Sequence, residues 1–153
     1  KTNKFKVNGS DNISFEFASN KGSSFKDLKK IASGGELSRI MFSIKIILSR
    51  FKSLPTIIFD EIDTGTSGDI SSKIARLMLE MSKTMQVLVI SHSPQVASIG
   101  DNHIKVYKDS SKNTTVTKLK LLSSKERIIE IADMLGGGSE SLTAVQHAKQ
   151  LLN

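Results

Sequence analysis

The chain has 153 residues, 38% apolar and 24% charged, the composition of an ordinary folded domain, which excludes a disordered tail. Cysteine is absent, which excludes a disulfide scaffold, a thiolate zinc site and a cysteine nucleophile together. Twenty-two basic against fifteen acidic residues leave a net charge of +7, enough to draw polyanions through long-range fields without saying which. His92, His103 and His147 stand too far apart in sequence to suggest a ligand motif. No run approaches the roughly 18 consecutive apolar residues that span a bilayer, and no charged-then-apolar leader opens the chain, so a cytosolic protein is expected. The first residue is Lys1 and not Met, as in a piece of a longer protein.

In chain order, Ile13, Phe15 and Phe17 alternate with Ser14, Glu16 and Ala18, which predicts a half-buried strand followed by a loop over 20–24. From Ser33 the period becomes helical, with Leu37, Ile40, Met41, Ile44, Ile47, Leu48 and Phe51 on one face. Pro55 ends that connection. Thr56-Ile57-Ile58-Phe59 is an unbroken apolar run, the pattern of a strand buried on both sides of a parallel sheet. A helix over 67–83, with Ile70, Ile74, Leu77, Met78 and Met81 inward, leads to a second buried strand, Val87-Leu88-Val89-Ile90. Strand, helix and strand at this spacing predict a βαβ unit with parallel strands. The runs 104–107 and 115–119 alternate across a polar turn as an antiparallel hairpin. Two helices, 124–135 and 140–151, flank Gly136-Gly137-Gly138. The expected class is α/β, one domain over 1–153, a largely parallel sheet flanked by helices with a hairpin and two closing helices.

Three constellations carry chemistry. Ala32-Ser33-Gly34-Gly35-Glu36-Leu37-Ser38-Arg39 opens the long helix, and Ser33 with Glu36 three positions on forms a capping box. A cap does not explain two consecutive glycines in a first turn, each unfavourable by up to about 1 kcal/mol against alanine. Glycines there let an anion, phosphate above all, approach free amides at the positive end of the helix dipole. The strand 56–59 runs into Asp60 and Glu61, where open α/β sheets bind ligands. Side chains alternate along a strand, so the two carboxylates do different work. Asp60 suits Mg²⁺, directly or through water, and Glu61 suits orienting or deprotonating a water. The second strand runs into Ser91-His92-Ser93-Pro94-Gln95. If the strands are neighbours, His92 emerges beside Asp60 and Glu61, within reach of a phosphate oxygen or the attacking water. The middle of the chain, 56–100, is also its acidic stretch, with five acids against three bases.

In this order and spacing the segments resemble half of an ABC-type ATPase head. Ser33-Gly34-Gly35-Glu36 is similar to the signature motif, 56–61 to the Walker B strand with its following glutamate, Asp63-Thr64-Gly65 to the D-loop and His92 to the switch histidine. The runs 32–39, 60–68 and 91–97, together with 15–30 and Leu135-Gly136-Gly137, resemble the RecN family of SMC-like bacterial DNA-repair ATPases, apart from Ser93, where that motif has leucine. The resemblance implies ATP and Mg²⁺ as cofactors, sandwiched between two heads. Asp60 serves the metal, Glu61 and His92 catalysis, and Ser33, Gly34, Gly35, Glu36 and Asp63 bind nucleotide, the signature closing on the ATP of the opposing head. It further implies a homodimer of heads, an amino-terminal lobe of the same protein as partner, DNA engaged through the complete protein in double-strand break repair and recombination, no membrane, and the bacterial cytosol at the nucleoid.

No GxxxxGK[ST] phosphate loop is present, and no glycine is followed by lysine. In the resembled family that loop lies in an amino-terminal half beyond a long coiled coil, so the chain is expected to be the carboxy-terminal lobe of a split head, without ATPase activity by itself. Two alternatives stand beside this reading. One is a transporter ATPase fragment. The other is a non-enzymatic DNA-binding module, using Lys26, Lys29 and Lys30 and the hairpin lysines Lys105, Lys108, Lys112, Lys118 and Lys120.

Overall fold

The computed structural model describes residues 5, 7, 9–18, 21–28, 34–52, 54–110, 114–138 and 140–153. The elements run β1 (Glu16–Phe17), β2 (Lys26–Asp27), α1 (Gly34–Phe51), β3 (Thr56–Asp60), α2 (Gly68–Ser82), β4 (Gln86–Ile90), α3 (Pro94–Ile99), β5 (Ile104–Asp109), β6 (Val116–Leu121), α4 (Ser124–Met134) and α5 (Leu142–Leu152). They form an α/β fold in which β3 and β4 pair parallel, while β1–β2 and β5–β6 are separate antiparallel pairs.

The parallel pair is the frame of the molecule. Thr56 lies beside Gln86 and each following residue keeps step, ending with Asp60 beside Ile90. The ladder continues past both ends, Gln86 N–H donating to Pro55 O and Glu61 N–H to Ile90 O, each at 2.9 Å. Alternation puts Ile57 and Phe59 on one face, where α2 lays Ile74, Ala75, Met78 and Met81 against them. Phe42 of α1 meets Phe59 edge-on, ring centroids 5.0 Å apart, and the Lys45 ammonium lies 5.7 Å from the same ring. A second cluster joins Ile131 and Ala132 of α4 to Ala144 and Ala148 of α5. The short helix α3 links the two, Val96 packing into the first and Ala97 against the second.

Local chemistry sets the ends of α4. Ser123 and Glu126 form a reciprocal capping box, the Ser123 N–H donating to the Glu126 carboxylate at 2.9 Å. Lys120, with those Ser123 donors, holds the Glu126 carboxyl down at about 2. Past its other end, Gly136 and Gly138 adopt φ of +81° and +64°. Between them, a Cβ on Gly137 would stand 2.3 Å from the Ala144 Cβ. Gly137→Ala therefore pushes α5 off α4 and costs about 1–3 kcal/mol, the usual range for overpacking, read as a lower denaturation midpoint.

Several expectations need correction. The sheet is not covered on both sides, because Ile58, at 57% exposure, with Leu88 and Ile90 faces solvent and no described element packs there. The apolar stripe of α1 is likewise not its inner face. Phe42, Ile46 and Ser49 turn inward, while Leu37, Met41, Ile47, Leu48 and Phe51 remain exposed, Phe51 at 82%. On α2, Ile70 and Leu77 are exposed, though Ile74, Met78 and Met81 are buried as expected. Ile13 and Phe15 are exposed and the strand is reduced to Glu16–Phe17, since only a two-residue partner pairs with it. Helix α3 was not foreseen.

Candidate functional site

The two parallel strands end together, and the site grows from that edge. Asp60 closes β3 on the exposed face shared with Thr56 and Ile58. Glu61 follows with φ of +46°, left-handed and rare for a residue with a side chain. Its amide is tied to Ile90 O, so the turn at Glu61 is fixed to the residue just before Ser91 and His92. The condition set on His92 is met: β3 and β4 are neighbours, and His92 leaves the same edge as Asp60 and Glu61. Both Glu61 and His92 are exposed.

The loop from β3 to α2 is more tightly built. Asp63 is 4% exposed, and its Oδ2 accepts from Ser91 Oγ. Its Oδ1 is buried and has no hydrogen-bond partner among the described residues. The Asp63 carbonyl accepts from Thr66 Oγ1 at 2.6 Å, and that hydroxyl lies 2.7 Å from the buried Ser71 Oγ of α2. Asp63 thus faces inward, in contrast to the open carboxylates of Asp60 and Glu61.

Two clefts flank the edge. One, of about 140 Å³, lies between α1 and the end of β3 and is lined by Ser38, Lys45 and Asp60 among others. The other, of about 360 Å³, is lined by Asp63, Thr66, His92 and Gln95, and closed on one side by Met134 and Leu135 of the α4 end. Asp60 therefore opens onto the first cleft and His92 onto the second, where the inward-turned Asp63 forms part of the wall.

Among the described residues no group of three or more acidic or histidine side chains gathers to hold a metal. A single exposed carboxylate such as Asp60 fits Mg²⁺ of the kind that keeps its waters and takes its other ligands from phosphates. Gly34, Gly35 and Glu36 form the first turn of α1, and Ser33 falls outside the described residues. A Cβ added at Gly34 would meet nothing within 4 Å, so none of the described packing calls for glycine there.

Three hairpin lysines are engaged with acids: Lys105 with Glu130, Lys118 with Asp109 and Lys120 with Glu126. That weakens the basic-module alternative, while Lys29, Lys30 and Lys112 lie outside the described residues. Sequence reasoning also missed Ser91, whose role rests on a contact 28 residues away, and Arg127, which caps α3 through Ser98 O at 3.1 Å and Gly100 O at 2.7 Å. Burial, with Arg127 nearby, lowers the pKa of His103, so that histidine favours its neutral form.

No protein-family model matches the chain. Among curated proteins it is 40% identical over 149 residues to the DNA repair protein RecN of Halalkalibacterium halodurans, a match covering 97% of the chain and 26% of that protein. With the DNA repair protein RecN of Haemophilus influenzae the identity is 41% over 150 residues, covering 98% of the chain and 27% of that protein. The chain is RecN-like in sequence over nearly its whole length. It spans about a quarter of the length of these RecN relatives. Among solved structures, one described under ATP-driven dimerization and DNA-stimulated activation of SMC ATPases aligns with 75% of the chain and 68% of its own, with a TM-score of 0.58 and 26% identity. The RecN-like chain thus has an SMC-head type of fold, and no helix among its described residues is long and apolar enough to cross a membrane.

Proposed function

We propose that the chain is the carboxy-terminal lobe of a split, RecN-like ATPase head that works in DNA double-strand break repair and recombination at the bacterial nucleoid. The observation that carries this reading is the shared edge of β3 and β4, where Asp60, Glu61 and His92 leave adjacent strands in register. In a complete head Asp60 holds Mg²⁺ directly or through water, Glu61 orients and deprotonates the attacking water, and His92 hydrogen-bonds the terminal phosphate. Bound Mg²⁺ supplies charge neutralisation on the phosphates. Ser33, Gly34, Gly35 and Glu36 meet the ATP of the opposing head, in keeping with the open space at Gly34. Asp63 belongs to the loop that follows the catalytic glutamate.

An amino-terminal phosphate-loop lobe of the same protein is the partner that this lobe needs. The uncovered sheet face of Ile58, Leu88 and Ile90 fits such a partner. So does the hairpin face, where Ile104 stands opposite Leu121 and Val106 opposite Leu119, all exposed.

The test is Ser33→Arg in the complete protein. A signature role predicts that ATP-driven dimerisation of heads is lost while each head still binds nucleotide. A cap alone predicts a loss of about 0.5–2 kcal/mol in stability with dimerisation and hydrolysis retained. Light scattering with ATP, beside chemical denaturation, separates the two.

A further inference from the structure

We propose that Asp63 and Ser91 form a positioning pair that holds the backbone carrying His92 in place beside the Glu61 turn, an inference that rests on the proposed ATPase role of His92. Ser91 Oγ donates to the Asp63 carboxylate and at the same time accepts from Ser93 N–H at 2.9 Å. One hydroxyl therefore pins the residues on both sides of His92 to the loop that leaves β3. The far end of that loop is anchored as well, since the Asp63 carbonyl is held by Thr66, and Thr66 by Ser71 of α2. Glu61, two residues before Asp63, is tied through its own amide to Ile90, the residue before Ser91. The backbone stretches carrying Glu61 and His92 are thus cross-linked twice, once by main chain and once by the Asp63–Ser91 contact. His92 itself stays exposed on the cleft, so its own side-chain torsions are what remain to be set.

Energetics favour a functional reason for this pair. A buried carboxylate with one oxygen unpartnered is destabilising, because the desolvation of Oδ1 has no compensating bond. Stability alone would be served as well by a neutral, fully bonded group. A bond from Ser91 to a carboxylate gives a stiffer tether than one to a neutral acceptor.

The experiment is a mutant cycle in the complete protein, reading kcat and KM for ATP turnover in Ser91→Ala, His92→Ala and the double variant. Ser91→Ala is expected to lower kcat on the order of 10–100-fold, the range for losing a partner that orients a histidine, with KM for ATP unchanged. In the His92→Ala background the same substitution should lower kcat no further, because the pair acts only through that side chain. Ser91→Thr, which keeps the hydroxyl, should retain most of the turnover. The inference is overturned if Ser91→Ala leaves kcat unchanged, or lowers it by the same factor with and without His92. If His92→Ala itself leaves turnover unchanged, the role assigned to His92 falls, and the positioning pair with it. A large His92→Ala loss with additive Ser91→Ala sinks the positioning pair alone.

Discussion

In the complete protein Glu61→Gln slows ATP hydrolysis about 10²- to 10⁴-fold, the span for removing a positioned general base, while nucleotide still binds. Glutamine keeps the shape and one hydrogen-bonding oxygen but does not take the proton. ATP-bound heads then accumulate as dimers. Asp60→Asn acts at an earlier step, since it removes charge from the carboxylate that closes the strand and so weakens Mg-dependent nucleotide binding itself. With ATP added, light scattering should show Glu61→Gln dimers and largely monomeric Asp60→Asn. The left-handed backbone at Glu61 is why the two neighbours diverge: the strand stops at Asp60, and the next side chain leaves in a direction an extended residue would not reach. Equal loss of nucleotide affinity in both variants would make Glu61 a second metal-site or structural carboxylate.

The largest expected effect on stability is at Phe59. It is 2% exposed, sits between α1 and α2, and meets Phe42 edge-on. Phe59→Ala costs about 3–5 kcal/mol, lost transfer energy plus the cavity left behind. Against a total of about 5–15 kcal/mol for a domain, that is enough to unfold much of the population on modest heating. Ile58→Ala, one residue earlier on the open face, should stay within about 0.5 kcal/mol in this chain. Denaturation midpoints for the two variants measure how one-sided the sheet is. If the proposed amino-terminal lobe seats on that face, the Ile58→Ala cost in the complete protein should rise towards that of a buried aliphatic residue.

Much of the frame was legible in the residues. The runs 56–59 and 87–90 announced buried strands and the intervening 3.6-residue period announced α2, because each pattern is local. The side on which a helix packs is not local. The stripe on α1 from Leu37 to Phe51 is apolar, yet Phe42 is the residue the sheet receives, and no spacing reveals that Leu37, Met41, Ile47, Leu48 and Phe51 stay exposed. Six residues of α3 are too few for a period, although Pro94 at its first turn was a signal that could have been used. At the site, Asp60, Glu61 and His92 were legible as strand-end residues. The inward turn of Asp63 was not, because it depends on a serine 28 positions away.

The central claim, that this chain is one lobe of a head that needs another, is tested most directly by titrating a fluorescent ATP analogue with Mg²⁺ into the purified chain and into the complete protein, and following turnover in both. The chain lacks any GxxxxGK[ST] loop, so it should bind the analogue weakly and turn over no ATP. The complete protein should do both, with turnover abolished by Glu61→Gln. Tight binding and steady hydrolysis by the chain alone, at a rate indifferent to Glu61→Gln, would contradict the split-head account.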